Sequence, residues 1–183
     1  MTERLDWNNG VPWSERFEDI YFSRSDGLAE SRYVFLQGNR VSERWQKKSI
    51  FRIGEAGFGT GLNFLATWQL WRETRAQDSW LYFESIEGFP LDREQLKLIH
   101  QEWKELKTLS KMLLAAKHSS SKLLPDWQEW PEERIKLRLH HAEVLPALQV
   151  MQSNQVDAWF LDGFSPKKNP EMWTMDVLRE VAR

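Results

Sequence analysis

The chain contains no cysteine. That excludes disulfides, thiolate zinc sites and a cysteine nucleophile together. It has no apolar run near the roughly 20 residues that a membrane span needs. Its first residues, Met1-Thr2-Glu3-Arg4-Leu5-Asp6, carry no apolar segment behind a basic patch, so they do not read as a secretory signal. A cytoplasmic location with no membrane partner is the expectation. An excess of one charge is also lacking: 25 Lys and Arg stand against 27 Asp and Glu, a formal net charge of −2. Nucleic-acid binding by the chain as a whole polycation is excluded. Local basic clusters occur at Arg44, Lys47, Lys48 and Arg52, at Lys104, Lys107 and Lys111, at Arg134, Lys136 and Arg138, and at Lys167 and Lys168. Each reads first as a solvated face. There is no internal repeat, low-complexity stretch or linker. What is present is ordinary globular material: 183 residues, 41% hydrophobic and 28% charged, enough for one domain with a core. Several of the eleven tryptophans fall at helical spacing and read as core.

Residues 1–48 are rich in aromatics. Tyr33-Val34-Phe35-Leu36 has strand composition and ends at the turn signal Gly38-Asn39, so a small N-terminal extension with one β-hairpin is expected there. A regular alternation follows over 49–183. Ser49 to Gly54 reads as a buried strand, and Leu62, Leu65, Trp68 and Trp71 mark a helix. Trp80 to Ile86 reads as a second strand. Leu91 to about His118 reads as helical with a break near Thr108, and 119–131 as a loop. Ile135 to Leu139 is a third strand, Glu143 to Gln152 a helix, Val156 to Leu161 a fourth strand, and Pro170 to Arg183 a further helix. This rhythm predicts an α/β fold: a Rossmann-like parallel sheet with helices on both faces. A doubly wound sheet normally continues past such a helix, so further C-terminal strands are expected beyond Arg183.

Three strand ends carry polar chemistry. Glu55-Ala56-Gly57-Phe58-Gly59-Thr60-Gly61 joins the first strand to the first helix. Glycines there allow positive φ and close approach of a ligand to the backbone. The spacing is G-x-G-x-G rather than the dinucleotide G-x-G-x-x-G, with an acid two positions before the first glycine. It resembles the loop of S-adenosylmethionine (SAM)-dependent methyltransferases. SAM has no pyrophosphate; it carries an ammonium, a carboxylate and a sulfonium, so Glu55 is expected at its cationic end and loop N–H groups at its carboxylate. Glu87 closes the second strand, where an acid takes ribose hydroxyls in nucleotide-binding sheets. Glu84 is its competitor, on the opposite strand face. Asp162 closes the fourth strand, in Asp162-Gly163-Phe164-Ser165-Pro166-Lys167. It reads as an active-site lip, against the plainer role of a turn aspartate.

The whole pattern resembles one family, the methyltransferase domain of MnmC, which acts in tRNA wobble-uridine modification. The marks are Phe17 to Ser23, Arg32 to Leu36 with Gly38-Asn39, Glu55 to Leu65, Glu87 to Leu91, and above all Asp157 to Trp173, which reads DAWFLDGFSPKKNPEMW. The resemblance implies SAM-dependent methylation of the exocyclic amine of 5-aminomethyl-2-thiouridine, giving 5-methylaminomethyl-2-thiouridine. It implies SAM contacts at Glu55, Gly57, Gly59, Gly61, Asn63, Glu87, Phe89, Pro90 and Ala142. Asp162 would orient the amine and accept its proton. Phe164 and Pro166 would wall the base, Tyr33 or Phe35 would stack on it, and Lys167 would meet phosphate. The implied partners are tRNA and an FAD-dependent oxidoreductase, as a C-terminal domain or a separate protein; FAD belongs only to that domain. One departure stands out. His141 occupies the place where the family often has an adenine-reading acid, which shifts that contact to Ala142 N–H or Glu143. His140 and His141 are adjacent on a strand and point opposite ways, so no metal site is expected. The competing readings are a SAM-dependent N-methyltransferase of a small amine, and a SAM-fold binding module without activity.

Overall fold

Alternating apolar residues on four short strands build the sheet that positions everything else. The computed structural model describes residues 5–8, 11–22, 26–116, 125–152 and 155–183. Strands β1 (Leu5–Asn8), β2 (Val11–Ser14) and β3 (Asp19–Ile20) form a small antiparallel ribbon in that order. Helix α1 (Gly27–Ser31) is capped by Asp26, whose carboxylate accepts from Ala29 N at 2.9 Å. The chain continues as a π-helical turn over Arg32–Gln37 and then α2 (Val41–Trp45). The hairpin expected at Tyr33-Val34-Phe35-Leu36 is therefore helix. Only Leu36 of the four is buried, while Tyr33 faces outward and Val34 stays half-exposed. One-sided burial against α3 and β8 overrides the strand propensity of the run.

The core alternates as the periodicity predicts: β4 (Ile50–Ala56), α3 (Leu62–Thr74), β5 (Trp80–Ile86), α4 (Arg93–Ile99), α5 (Lys107–Ala115), β6 (Gln128–Trp130), β7 (Ile135–His140), α6 (Val144–Val150), β8 (Ala158–Leu161) and α7 (Met175–Ala182). The sheet order is β6-β7-β5-β4-β8. β4, β5, β7 and β8 run parallel, and β6 is antiparallel to β7. The sheet is thus mixed rather than wholly parallel, and its extra edge strand lies inside the segment read as loop. The long helical segment is interrupted by two 3-10 turns, His100–Glu102 and Lys104–Leu106, earlier than Thr108.

Side chains alternate between two cores. Phe51, Ile53, Leu81, Phe83, Ile135, Leu137 and Phe160 pack on the side of α1, α2, α3 and α5. Ala56, Ile86, Trp159 and Leu161 pack on the side of α6 and α7. Helices cover both faces. Leu62 to Trp68 of α3 are buried without a gap, so this helix is enclosed all round rather than on the single stripe of Leu62, Leu65, Trp68 and Trp71. Trp45 and Trp71 meet edge to face at 5.2 Å, and Trp68 and Trp130 lie 4.5 Å apart. Truncating Trp68 to Ala would cost about 3–5 kcal/mol.

Candidate active site

The parallel strands all point their C-terminal ends at one cavity of about 860 Å³. That is within the range of small-molecule sites. Gly57 sits at its floor with φ +96. Gly57 N donates to Ile86 O at 2.9 Å, and Asp162 N donates to Ala56 O at 2.9 Å, so the ends of β5, β4 and β8 are tied together there. A Cβ on Gly57 would overlap the Asp162 carbonyl oxygen. Only glycine lets these two strand ends meet. His100 secures the loop from behind. Its Nε2 donates to Thr60 O at 2.8 Å, which leaves Nδ1 to accept from Ser110 Oγ at 2.8 Å. Burial lowers the His100 pKa, keeping the ring neutral and this tautomer in place.

Glu87 lines the cavity at the end of β5. One carboxylate oxygen accepts from Gly59 N at 2.7 Å and the other from Phe89 N at 2.8 Å. A carboxylate oxygen can accept more than one hydrogen bond, which suits a site for hydroxyls. Glu84, its competitor, lies elsewhere, paired with His140 at 2.8 Å and Arg138 at 3.2 Å. Asp162 is open to the cavity but closely surrounded by protein on its other sides. Desolvation raises its pKa to about 6, against a hydrogen bond from Asn63 that lowers it. Asn63 Nδ2 donates to Asp162 Oδ2 at 2.6 Å and to Glu55 Oε1 at 3.1 Å.

Glu55 departs from its expected place. It is wholly buried on the α3 face of β4, behind Asn63, and is not among the cavity's walls. Burial pushes its carboxyl up to about 8. Gly57, Gly59, Asn63, Glu87, Phe89, Asp162, Phe35 and Phe164 do line the cavity. Gly61, Pro90, Ala142, Tyr33, Pro166 and Lys167 do not. Gly61 faces Phe58 and Leu113. Pro90 follows the last lining residue of its strand end, and Ala142 sits just outside, its carbonyl 3.7 Å from where a Cβ of Gly88 would be. Tyr33 is 71% exposed on the outer side of its helical turn. Pro166 and Lys167 lie in an exposed turn. Of the two alternatives for the adenine end, Glu143 is at the wall.

The front wall joins Phe164, expected there from the sequence, to Phe17 and Tyr21, which carried no such expectation. Phe17 stacks on Phe164 at 4.6 Å, Tyr21 meets Phe164 edge-on at 5.3 Å, and Phe17 meets Phe89 at 5.5 Å. The signal was available in the Phe17-Glu18-Asp19-Ile20-Tyr21-Phe22 run, which no strand or helix period explains. Seven carboxyl side chains line the cavity: Asp19, Glu30, Glu87, Glu143, Asp162, Glu171 and Asp176. Among the described residues no Lys, Arg or His lines it. Most basic clusters are engaged in pairs, with Lys168 holding a wall acid, Asp19. Arg44 and Lys48 bind Asp157, Arg134 binds Asp78, Lys136 binds Glu129, and Lys168 binds the Glu18 carbonyl and Asp19. Lys104, Lys107 and Lys111 are exposed.

A sheet with its first crossover made of left-handed glycines, facing an acid at the end of the neighbouring strand, is the architecture of a Rossmann-like SAM-dependent methyltransferase. The family model described as S-adenosyl-L-methionine-dependent methyltransferase matches residues 103–183. The chain is 47% identical over 182 residues to a Methylobacillus flagellatus protein named tRNA 5-methylaminomethyl-2-thiouridine biosynthesis bifunctional protein MnmC; the match covers 97% of this chain and 28% of that protein. The protein of the same name from Nitrosospira multiformis is 44% identical over 184 residues, with 98% and 29% covered. The crystal structure of MnmC2 from Aquifex aeolicus superposes with a TM-score of 0.74 at 23% identity, covering 98% of this chain and 55% of that one, and so shares the fold. The chain thus has the fold of a SAM-dependent methyltransferase and, over 97% of its length, is similar to MnmC proteins. It spans under a third of the length of the curated relatives it matches. No helix among the described residues is long and apolar enough to cross a membrane.

The residues present fit SAM. A glycine floor admits a ligand against the backbone, Glu87 offers acceptors for ribose hydroxyls, and the carboxyl-lined wall suits a sulfonium and an ammonium.

Proposed function

We propose that this chain methylates the exocyclic amine of 5-aminomethyl-2-thiouridine at the tRNA wobble position. The observation that carries the reading is the cavity lined by seven acids with no cation among the described residues. Such a cavity attracts positive charge and repels phosphate. A nucleoside carrying an alkylamine fits it; a phosphate group does not. The tRNA backbone therefore stays at the rim, and only the base and its aminomethyl arm enter. Enzymes acting on bases commonly take the base out of its stack, and the Phe17, Tyr21 and Phe164 cluster offers it aromatic faces. The names of the relatives, which specify this nucleoside pathway, support the same substrate.

SAM bound in this cavity would supply an electrophilic methyl group, and the acceptor amine would have to bring the lone pair for the new C–N bond. Glu87 holds the ribose end. The amine must present a free lone pair, although an alkylamine ordinarily holds its proton to about pH 10.4. Asp162 orients the amine and accepts the proton that must leave it, directly or through water. Its raised pKa of about 6 brings it closer to the operating pH, which favours proton transfer. Proximity and alignment contribute much of the remaining acceleration. The substrate would arrive from an FAD-dependent oxidoreductase, either on the same chain or as a separate protein.

The test is methyl transfer from labelled SAM to tRNA bearing 5-aminomethyl-2-thiouridine, read by nucleoside analysis. Label in 5-methylaminomethyl-2-thiouridine is expected. Transfer to free alkylamines but not to this tRNA would refute the substrate assignment.

A further inference from the structure

Asn63 opens α3 with its side chain wedged between two carboxyl groups. Its amide can point only one way. Nδ2 faces Glu55 Oε1 and Asp162 Oδ2, and Oδ1 faces Ser31 Oγ at 2.5 Å. The flipped amide would set its oxygen against the ionised Asp162 carboxylate and take away the hydrogen bond Asn63 donates to it. A serine hydroxyl serves either orientation, so the carboxylate decides. Both hydrogens of Nδ2 are then committed, one to each acid, and the Ser31 hydroxyl donates into Oδ1.

We propose that Asn63, backed by Ser31, is the positioning residue of the reaction: it ties down Oδ2 of Asp162, so that Oδ1 is the oxygen presented to the substrate amine. The inference rests on the reading in which Asp162 acts at that amine. It reassigns Asn63 from cofactor contact to support of the carboxylate. The surrounding charges explain why such support is needed. Desolvation disfavours the charged form of Asp162, and the charge of Glu30 on α1 adds to it. Glu55 lies across the amide on β4, with Glu87 acting on it from the end of β5. Ser85 Oγ donates to Glu55 Oε2 at 2.6 Å. The remaining acids at the walls, Asp19, Glu143, Glu171 and Asp176, add the same sign. Asn63 is the group that favours the ionised Asp162, and it does so at one oxygen. With Glu55 protonated at neutral pH, the pair across the amide carries one negative charge, on the side open to the cavity.

The experiment is a carboxyl-carbon NMR titration of Asp162 in the protein, assigned with Asp162→Asn, in wild type, Asn63→Ala and Ser31→Ala. A hydrogen bond to a charged group is strong enough to move a titration by about one to two pH units. Asn63→Ala is therefore expected to raise the Asp162 midpoint by about that amount. The acid limb of the kcat profile should move with it, while KM for SAM changes less than kcat. Ser31→Ala, which leaves Asn63 in place, should shift the midpoint the same way by less, and it decides the matter if Asn63→Ala does not fold. An unmoved midpoint in a folded Asn63→Ala protein, or in Ser31→Ala where that variant decides, overturns the proposal. Full turnover by Asp162→Asn would instead sink the role of Asp162 at the amine, while the titration would still report on the clamp itself.

Discussion

Replacing Glu55 by glutamine should make the protein more stable, by an amount that grows with pH. Glu55 is wholly buried and its pKa is raised from 4.5 to about 8. An acid with a higher pKa in the folded state binds more protons there than in the unfolded chain. The slope of stability against pH is then negative between the two values. Its contribution is fully present below about pH 4.5 and is lost as pH rises to about 8. At about 1.4 kcal/mol per unit, wild type forfeits about 3 kcal/mol at pH 7 and about 4 kcal/mol at pH 8. Glutamine has no proton to lose. It can accept from Asn63 and donate to Ser85, so the local hydrogen bonds survive. Asp162 titrates in both proteins, so its slope largely cancels in the difference. Denaturant unfolding of both proteins at pH 5, 7 and 8.5 is the assay. The curves should nearly coincide at pH 5 and diverge above it. A difference that does not change with pH would refute the argument, because it would mean that Glu55 is ionised in the folded protein or exposed to water. Calorimetry adds a second reading: with Asn63 between Glu55 and the cavity, Glu55→Gln should bind SAM within a few-fold of wild type.

Asp162→Asn keeps the shape of the lip and the backbone bond to Ala56 but removes the proton acceptor, so kcat should fall by about 10²–10⁴. In wild type, turnover should decline as pH falls through about 6, because protonated Asp162 cannot take the amine's proton; a flat profile from pH 5 to 8 would contradict this. Glu87→Ala should weaken SAM binding by about tenfold or more through lost hydroxyl contacts, which titration calorimetry would read. Gly57→Ala faces both a left-handed backbone and the Asp162 carbonyl, so it should lose about 3 kcal/mol of stability, with SAM binding impaired in whatever remains folded; wild-type melting would show that the loop has room.

The strands that carry the site were readable because burial on both faces leaves near-continuous apolar runs, as in Trp80 to Ile86. The glycine loop, Glu87 and Asp162 were readable because special backbone geometry and strand-end chemistry restrict residue type. Other features depend on tertiary partners. Tyr33 to Leu36 has strand composition, and only its packing shows that Leu36 alone turns inward. β6 is three residues, Gln128-Glu129-Trp130, too short for any period, and it exists because β7 offers an edge. Glu55 was placed at the ligand by its position in the loop motif. Strand alternation sends it to the α3 face, where Asn63 screens it. Phe164 of the aromatic front wall was legible beside Asp162, but its partners Phe17 and Tyr21 lie about 145 residues away, where no local period links them to it.

That last arrangement has a consequence for how the molecule is made. Phe17 and Tyr21 complete the wall only against Phe164, and Lys168 reaches back to Glu18 and Asp19. About 150 residues separate the two sides. At translation rates of about 5–20 residues per second, the aromatic segment waits roughly 7 to 30 seconds for its counterpart to be synthesised. Through that interval Phe17 and Tyr21 lack their Phe164 partner on a nascent chain, with closure of a very long loop still ahead. The β1–β3 ribbon pairs within itself, Tyr21 N donating to Pro12 O at 3.1 Å, so the segment can form its own hydrogen bonds early. The binding cavity is thus among the last parts of the fold to close, and chaperone dependence during synthesis should concentrate on these first aromatic residues.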